Sequence, residues 1–224
     1  VNAVRLATLA ASDDRIDELA AQVDTLTQRI AAGAARITTL RQAAAGTVSA
    51  AVQAELAALA LPHARLEFTV TPLPEPGPYG ADAILLVFAA NPGAQPGPLA
   101  KVASGGELSR VRLALEVVLA DATGGETFVF DEVDAGIGGA VALEVGSRLS
   151  RLSRLTQVIV VTHLAQVAAY ADRHFVVLKS DDGSVTTAGL RAVDGDERLR
   201  ELARMMGGHD DTDASVAHAK DLLD

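Results

Sequence analysis

The chain has 224 residues and a net charge of −10, with neither Cys nor Trp. The absence of Cys excludes disulfides and thiolate metal sites, and the acidic balance excludes a nucleic-acid surface spread over the whole chain, leaving only a local one. Hydrophobic residues reach 49% but aromatics only 3%, so Leu, Val, Ile and Ala have to fill the core.

The chain starts at Val1 in the middle of a helical pattern, and a longer parent protein is expected. Leu9, Ile16, Val23, Ile30 and Ile37 fall at heptad position a, and Leu19, Leu26, Gly33 and Leu40 at d. Alternating steps of 3 and 4 make a coiled-coil seam, so 1–61 is predicted as one coiled-coil helix whose partner strand is another chain or a missing N-terminal half of the same protein. After Ala44 the stripe continues in another phase through Val48, Val52, Leu56 and Leu59, as a stutter would. The Ala-rich stretch 42–61 is broken by polar residues and reads as a helix lying on protein, not a membrane span.

Pro62 ends the helix. "ARLEFTVTPL" alternates as a strand, "PLPEPGPYG" reads as a turn, and "ADAILLVFAANPG" as a second strand. "GAQPGPLAKVASGGE" is predicted as a loop with little regular structure, leading into a helix over 108–121 that Thr123-Gly124-Gly125 closes. "TFVFDEVD" and "QVIVVTH" are short apolar runs of the kind that form buried strands, with a helix over 140–155 between them. "LAQVAAYA" is a helix, "HFVVLKS" and "VTTAGLRAV" are strands joined by a turn at "DDGS", and "DERLRELARMM" is a helix capped by Gly207-Gly208. Strands alternating with helices give an α/β lobe with parallel strands over 62–208, followed by a polar tail over 209–224. His209 and His218 lie in that tail and imply no metal; Met205 and Met206 read as core of the preceding helix.

Three short motifs carry chemistry. Asp131 and Glu132 arrive at the end of an apolar strand, where open α/β sheets bind ligands and where adjacent carboxylates are costly without a cation. His163 ends the next such strand and has the donor and acceptor chemistry to engage a phosphate. Ser104-Gly105-Gly106-Glu107 opens a helix; glycines permit close backbone approach and the helix N-terminus favours an anion. Each has a plainer alternative: acids end ordinary strands, His is common at strand ends, and Ser caps any helix. No G-x-x-x-x-G-K-[ST] phosphate loop occurs in the 224 residues. Lys101 and Arg110 flank the turn and are expected mainly on a solvated face.

Taken in order, S-G-G-E, a helix, four apolar residues with Asp-Glu, then Asp-Ala-Gly and a strand ending in His resemble the C-terminal lobe of an ABC-type ATPase head. There a signature motif, Walker B, D-loop and switch His follow in that order. A heptad helix entering the head, and Ala103 where transporter subunits carry Leu, point to the SMC-like proteins. Within them "LAKVASGGELSRVRLAL", "FDEVDAGIGGAVA", "VTHLAQVAAYADRHFVVLKS" and "RELARMMGG" resemble the RecN family of DNA double-strand-break repair ATPases. The match covers 62–208, and the coil matches in kind.

The resemblance implies a P-loop NTPase class fold whose phosphate loop lies outside these residues. It implies ATP and Mg²⁺ as cofactors. Asp131 would serve Mg²⁺, Glu132 would be the general base, His163 would sense the γ-phosphate and Asp134 would signal across a dimer of heads as the D-loop. Ser104, Gly105, Gly106 and Glu107 would complete a nucleotide site held by a second head. The partners so implied are the N-terminal half of the same protein, with its Walker A lobe and outgoing coil arm, a second head in a homodimer, and DNA; no membrane is implied, and the location is the cytoplasm, associated with the nucleoid. The chain alone is expected to be inactive because it lacks Walker A. The alternatives are another SMC-like or RecF-like repair ATPase, or a coiled-coil interaction module without activity.

Overall fold

The computed structural model describes residues 2–123, 126–181, 186–207 and 213–223. The chain forms two compact units, Val1–Ser49 with Glu67–Leu86, and Ala50–Leu66 with Val87–Asp224. The expected division after residue 61 is therefore not the one the chain makes: the last turns of the first helix belong with the α/β unit.

Helix α1, Asn2–Ala58, is continuous. In the first unit its Ala34, Thr38 and Arg41, spaced along one face, meet a hairpin of strands β1 (Arg65–Gly77) and β2 (Gly80–Ala89). Thr38 Oγ1 donates to the buried Asp82 carboxylate at 2.8 Å, and Arg41 donates to the Tyr79 carbonyl at 2.7 Å. Gly80 at φ +115° makes the turn, and a Cβ there would lie 3.0 Å from that guanidinium. The segment predicted as a turn, 72–80, is mostly strand. Pro72, Pro74 and Pro76 stand two apart, so all three lack their N–H on the same side, which an edge strand tolerates when that side faces out. The heptad positions stay exposed, Ile16, Val23, Ile30 and Leu40 at 60% or more.

In the second unit the shifted stripe is buried: Val52, Leu56 and Leu59 are fully inaccessible. The two phases of the α1 pattern thus serve two different surfaces, and the phase change marks where the helix enters the α/β unit. Ala60 turns left-handed (φ 59°) and the Leu61 amide bonds back to the Leu56 carbonyl at 3.0 Å, a Schellman-type stop just before Pro62. Glu55 receives Arg148 at 2.6 Å and Arg151 at 2.5 Å, tying the end of α1 to helix α4 (Gly139–Ser153).

The segment predicted as an irregular loop contains a two-residue strand β3, Gly97–Pro98, paired antiparallel to β2, and a single turn α2, Leu99–Val102. Helix α3 is Gly105–Thr123; its Val111, Leu113 and Ala114 are buried, and Arg112 lies over the rings of Phe128 and Phe130. Those rings belong to β4, Thr127–Phe130, which pairs in parallel with β5, Gln157–Val160, across α4. The apolar runs predict strands buried on both faces, and here the structure differs: Phe128 and Phe130 are buried, whereas Val129, Ile159 and, just past β5, Val161 are about half exposed. Among the described residues nothing covers that second face.

The single turn α5 (Ala165–Ala168) replaces the longer helix predicted over 164–171. Strands β6 (His174–Asp181) and β7 (Thr186–Val193) form an antiparallel ladder, followed by α6, Gly195–Gly207, and α7, Asp213–Leu223. Helix α7 corrects the expectation of a polar tail. Ala219 is fully buried with Leu202, Ala203 and Ala165, and Val216 and Leu222 pack beside it, so one small apolar stripe is enough to dock the helix. Met205 and Met206 pack against the same cluster, while His218 is exposed. The expected stops at Gly124-Gly125 and Gly208, the turn at "DDGS", and His209 lie outside the described residues, as does the "DDGS" turn beyond Asp181.

Candidate functional site

Ser104 is the residue before α3, and its role is sharper than that of a generic cap. Its hydroxyl meets the Glu107 amide at 3.4 Å, while the Glu107 carboxylate takes the Ser104 N–H and hydroxyl, both at 2.9 Å. This is a reciprocal capping box, written in the sequence as S-x-x-E. Glu107 is therefore consumed within its own turn. The amides of Gly105 and Gly106 are the first two of the helix and have no carbonyl four residues back within it.

Behind the turn the packing is close. A Cβ on Gly105 would lie 2.7 Å from Glu132 Oε2; one on Gly106 would lie 3.0 Å from the Ala135 Cβ and 3.2 Å from its carbonyl oxygen. Arg110 is buried, contrary to the solvated face expected of it, and donates to the Ala135 carbonyl at 2.9 Å. Burial pulls this guanidinium below the usual arginine range, with Glu107 opposing the shift. Ser109 donates to the Asp131 carbonyl at 2.8 Å. The turn of Ser104–Glu107 and the end of β4 are thus held together within one chain. Lys101 is exposed.

At the end of β4, Asp131 is exposed and its Oδ1 caps the Glu132 amide at 2.9 Å. Glu132 sits at φ 57°, a left-handed conformation that costs a non-glycine residue about 1 kcal/mol or more. Asp131 is a single carboxylate, and among the described residues no group of three or more His, Cys, Asp or Glu could hold a metal ion. That donor set fits a Mg²⁺ which keeps its waters and takes phosphate oxygens, and does not fit a cation caged by protein.

Because β4 and β5 are parallel and in register, Phe130 with Val160, Thr162 and His163 emerge at the same sheet end. Asp134 is buried; its Oδ2 receives the Thr162 hydroxyl and the His163 amide at 3.0 Å, and His163 Nδ1 lies 3.1 Å from it. The Thr162 hydroxyl in turn accepts the Leu164 amide at 3.1 Å. The His163 ring itself is 71% exposed. The role across a dimer of heads expected of Asp134 has no partner head here to act on; within this chain its carboxylate faces inward, onto His163. Thr162 and Ser109 had been given no role, and nothing but their neighbours in the motifs could have marked them.

Comparison with known proteins bears on the whole chain. No protein-family model matches it. It is 49% identical over 216 residues to the DNA repair protein RecN of Streptomyces coelicolor, covering 91% of this chain and 38% of that protein. It is 45% identical over 221 residues to RecN of Deinococcus radiodurans, covering 99% and 39%. Among solved structures it resembles the Smc head domain of Pyrococcus furiosus with an extended coiled coil, bound there to the C-terminal domain of ScpA. The TM-score is 0.55 at 19% identity, over 80% of this chain and 43% of that one. The fold is that of part of an Smc head domain with its coiled-coil helix. The chain belongs to the RecN family of DNA repair proteins, and it spans about two-fifths of the length of the relatives it matches.

Proposed function

We propose that this chain supplies the C-terminal part of an SMC-like ATPase acting in DNA double-strand-break repair and recombination, with ATP bound at composite sites between two heads. The observation that carries the reading is the shared end of β4 and β5, where Asp131, Glu132 and His163 stand exposed beside a capped helix N-terminus. Bound ATP with Mg²⁺ would supply the phosphoanhydride that water cleaves. Asp131 would hold the cation through water, Glu132 would take a proton from the attacking water, and His163 would engage the terminal phosphate. The Gly105 and Gly106 amides and the Ser104 hydroxyl would close on a phosphate held by the other head. Asp134 acts inside its own chain in this reading, and Glu107 acts as the cap.

Two uncovered surfaces support the proposed partners. The exposed stripe of Ile16, Val23, Leu26 and Ile30 suits the outgoing arm of an antiparallel coil, and the exposed face of Val129, Ile159 and Val161 suits the lobe that carries the phosphate loop. Contact with DNA would be local, given the charge of −10, and no helix among the described residues is long and apolar enough to cross a membrane; the proposed location is the cytoplasm, with the nucleoid. The same stripe, together with the absence of a phosphate-loop motif from these residues, favours a second reading for the chain taken by itself: an interaction module that turns over no ATP until the other lobe is supplied.

The test is Glu132→Gln in the full-length protein. The amide keeps the shape but cannot accept the proton, so ATP turnover is expected to fall about 10²-fold or more while ATP binding and head dimerisation persist. Near-normal turnover would leave Glu132 as a strand-end acid only.

A further inference from the structure

We propose that Asp134, with Thr162, is the positioning residue that fixes the tautomer and orientation of the His163 ring; this rests on the reading that His163 acts on the nucleotide. Two hydrogen bonds, from the Thr162 hydroxyl and the His163 main-chain N–H, reach one oxygen of a buried carboxylate, and the His163 ring Nδ1 lies 3.1 Å from the same oxygen. A carboxylate accepts and cannot donate, so the Nδ1 facing it carries the proton. The ring is thereby turned so that Nε2 is the nitrogen left to solvent. The same oxygen thus meets His163 at its main-chain N–H and faces its ring Nδ1, which leaves the ring little freedom to rotate about its own backbone.

Thr162 completes the arrangement. Its hydroxyl donates to Asp134 and accepts from the Leu164 amide, so its proton has one place to go. Leu164 precedes α5, and the hydroxyl thus couples the start of that turn to the same carboxylate. The contrast in exposure fits positioning better than direct chemistry: the Asp134 side chain is 4% exposed and the His163 side chain 71%. The buried partner holds the ring and the exposed ring meets the ligand.

The experiment is a double-mutant cycle in the full-length protein, read as kcat and as ATP affinity separately. Asp134→Asn preserves volume but removes the charge, and its one neutral oxygen must serve the Thr162 hydroxyl, the His163 main-chain N–H and the ring at once, so Nδ1 is held less firmly. It is expected to lower kcat about 10²-fold with ATP affinity within about threefold of wild type. His163→Ala is expected to do the same, and the double variant to be no slower than His163→Ala alone, because Asp134 acts only through that ring. A near-wild-type kcat for Asp134→Asn beside an impaired His163→Ala would overturn the proposal, as would losses that multiply in the double variant. If Asp134→Asn fails to fold by thermal unfolding, Thr162→Val replaces it in the cycle, with an expected loss of about tenfold in kcat that also vanishes on the His163→Ala background. A near-wild-type His163→Ala would sink the underlying reading of His163, and this proposal with it.

Discussion

Gly105 and Gly106 are neighbours in sequence with different physical constraints. At Gly105 the atom in the way is the far end of the Glu132 side chain, which can swing aside; at Gly106 it is the Ala135 Cβ and the main chain behind it, which cannot. Gly105→Ala is therefore expected to leave stability within about 0.5 kcal/mol of wild type while displacing the Glu132 carboxylate, and Gly106→Ala to cost about 1–2 kcal/mol. Urea denaturation of the full-length variants, paired with ATP turnover, separates the two: turnover lost with stability kept for Gly105→Ala, stability lost for Gly106→Ala. Equal destabilisation by both would show that the Glu132 side chain is not free to yield. The placement of Asp131 and Glu132 at a strand end, of Ser104 at a helix N-terminus and of His163 just past the next strand was legible in the sequence because each sits at the end of a patterned run, whereas the return of the Glu107 carboxylate onto Ser104 was not. The inward carboxylate of Asp134 was not, because its partners lie in another strand and only the parallel register of β4 and β5 brings them together.

Among the elements, α1 shows how much a hydrophobic period reveals and where it stops. The seam and the phase change were both readable, yet only the structure assigns the second stripe to the α/β unit, through Val52, Leu56 and Leu59. Helix α7 is hard to see in the sequence because a few apolar residues among charges give a weak period, and the prolines of β1 read as a turn because an edge position cannot be read from one strand alone. The junction of α1 with α4 carries a pH prediction. Burial raises the Glu55 carboxyl, but hydrogen bonds from Arg151 and Arg148 outweigh it, and the group ends below its ordinary value of 4.5. A lowered folded pKa means that Glu55 contributes its full stabilisation above about pH 4.5 and loses it as pH falls through the lowered value. Glu55→Gln is thus expected to cost about 1–2 kcal/mol at neutral pH, shrinking toward zero in acid below the ordinary carboxylate range. Denaturant titrations across pH check this; a penalty unchanged in acid would mean that shape, not charge, ties α1 to α4.

At the scale of the whole molecule, the described residues leave two apolar surfaces uncovered, one along α1 and one on the β4–β5 face, and contain a signature-like turn without a phosphate loop. The composite assembly proposed above would account for all three. Its sharpest consequence is that Ser104–Gly106 and the phosphate loop act on one nucleotide from different copies. Ser104→Arg fills the space above the Gly105 and Gly106 amides; it also removes the cap, at a cost of about 1 kcal/mol that thermal unfolding must show to be tolerated. Mixing full-length protein carrying Ser104→Arg with protein whose phosphate-loop lysine is substituted gives the decisive measurement, ATP turnover of the mixture against each variant alone. One site of each mixed pair then joins an intact phosphate loop to an intact Ser104 turn. The account predicts that both variants are inactive alone and that the mixture regains turnover up to one site's worth. No recovery on mixing, with both variants folded and dimerising in the mixture, would contradict it and place the turn on its own chain's nucleotide.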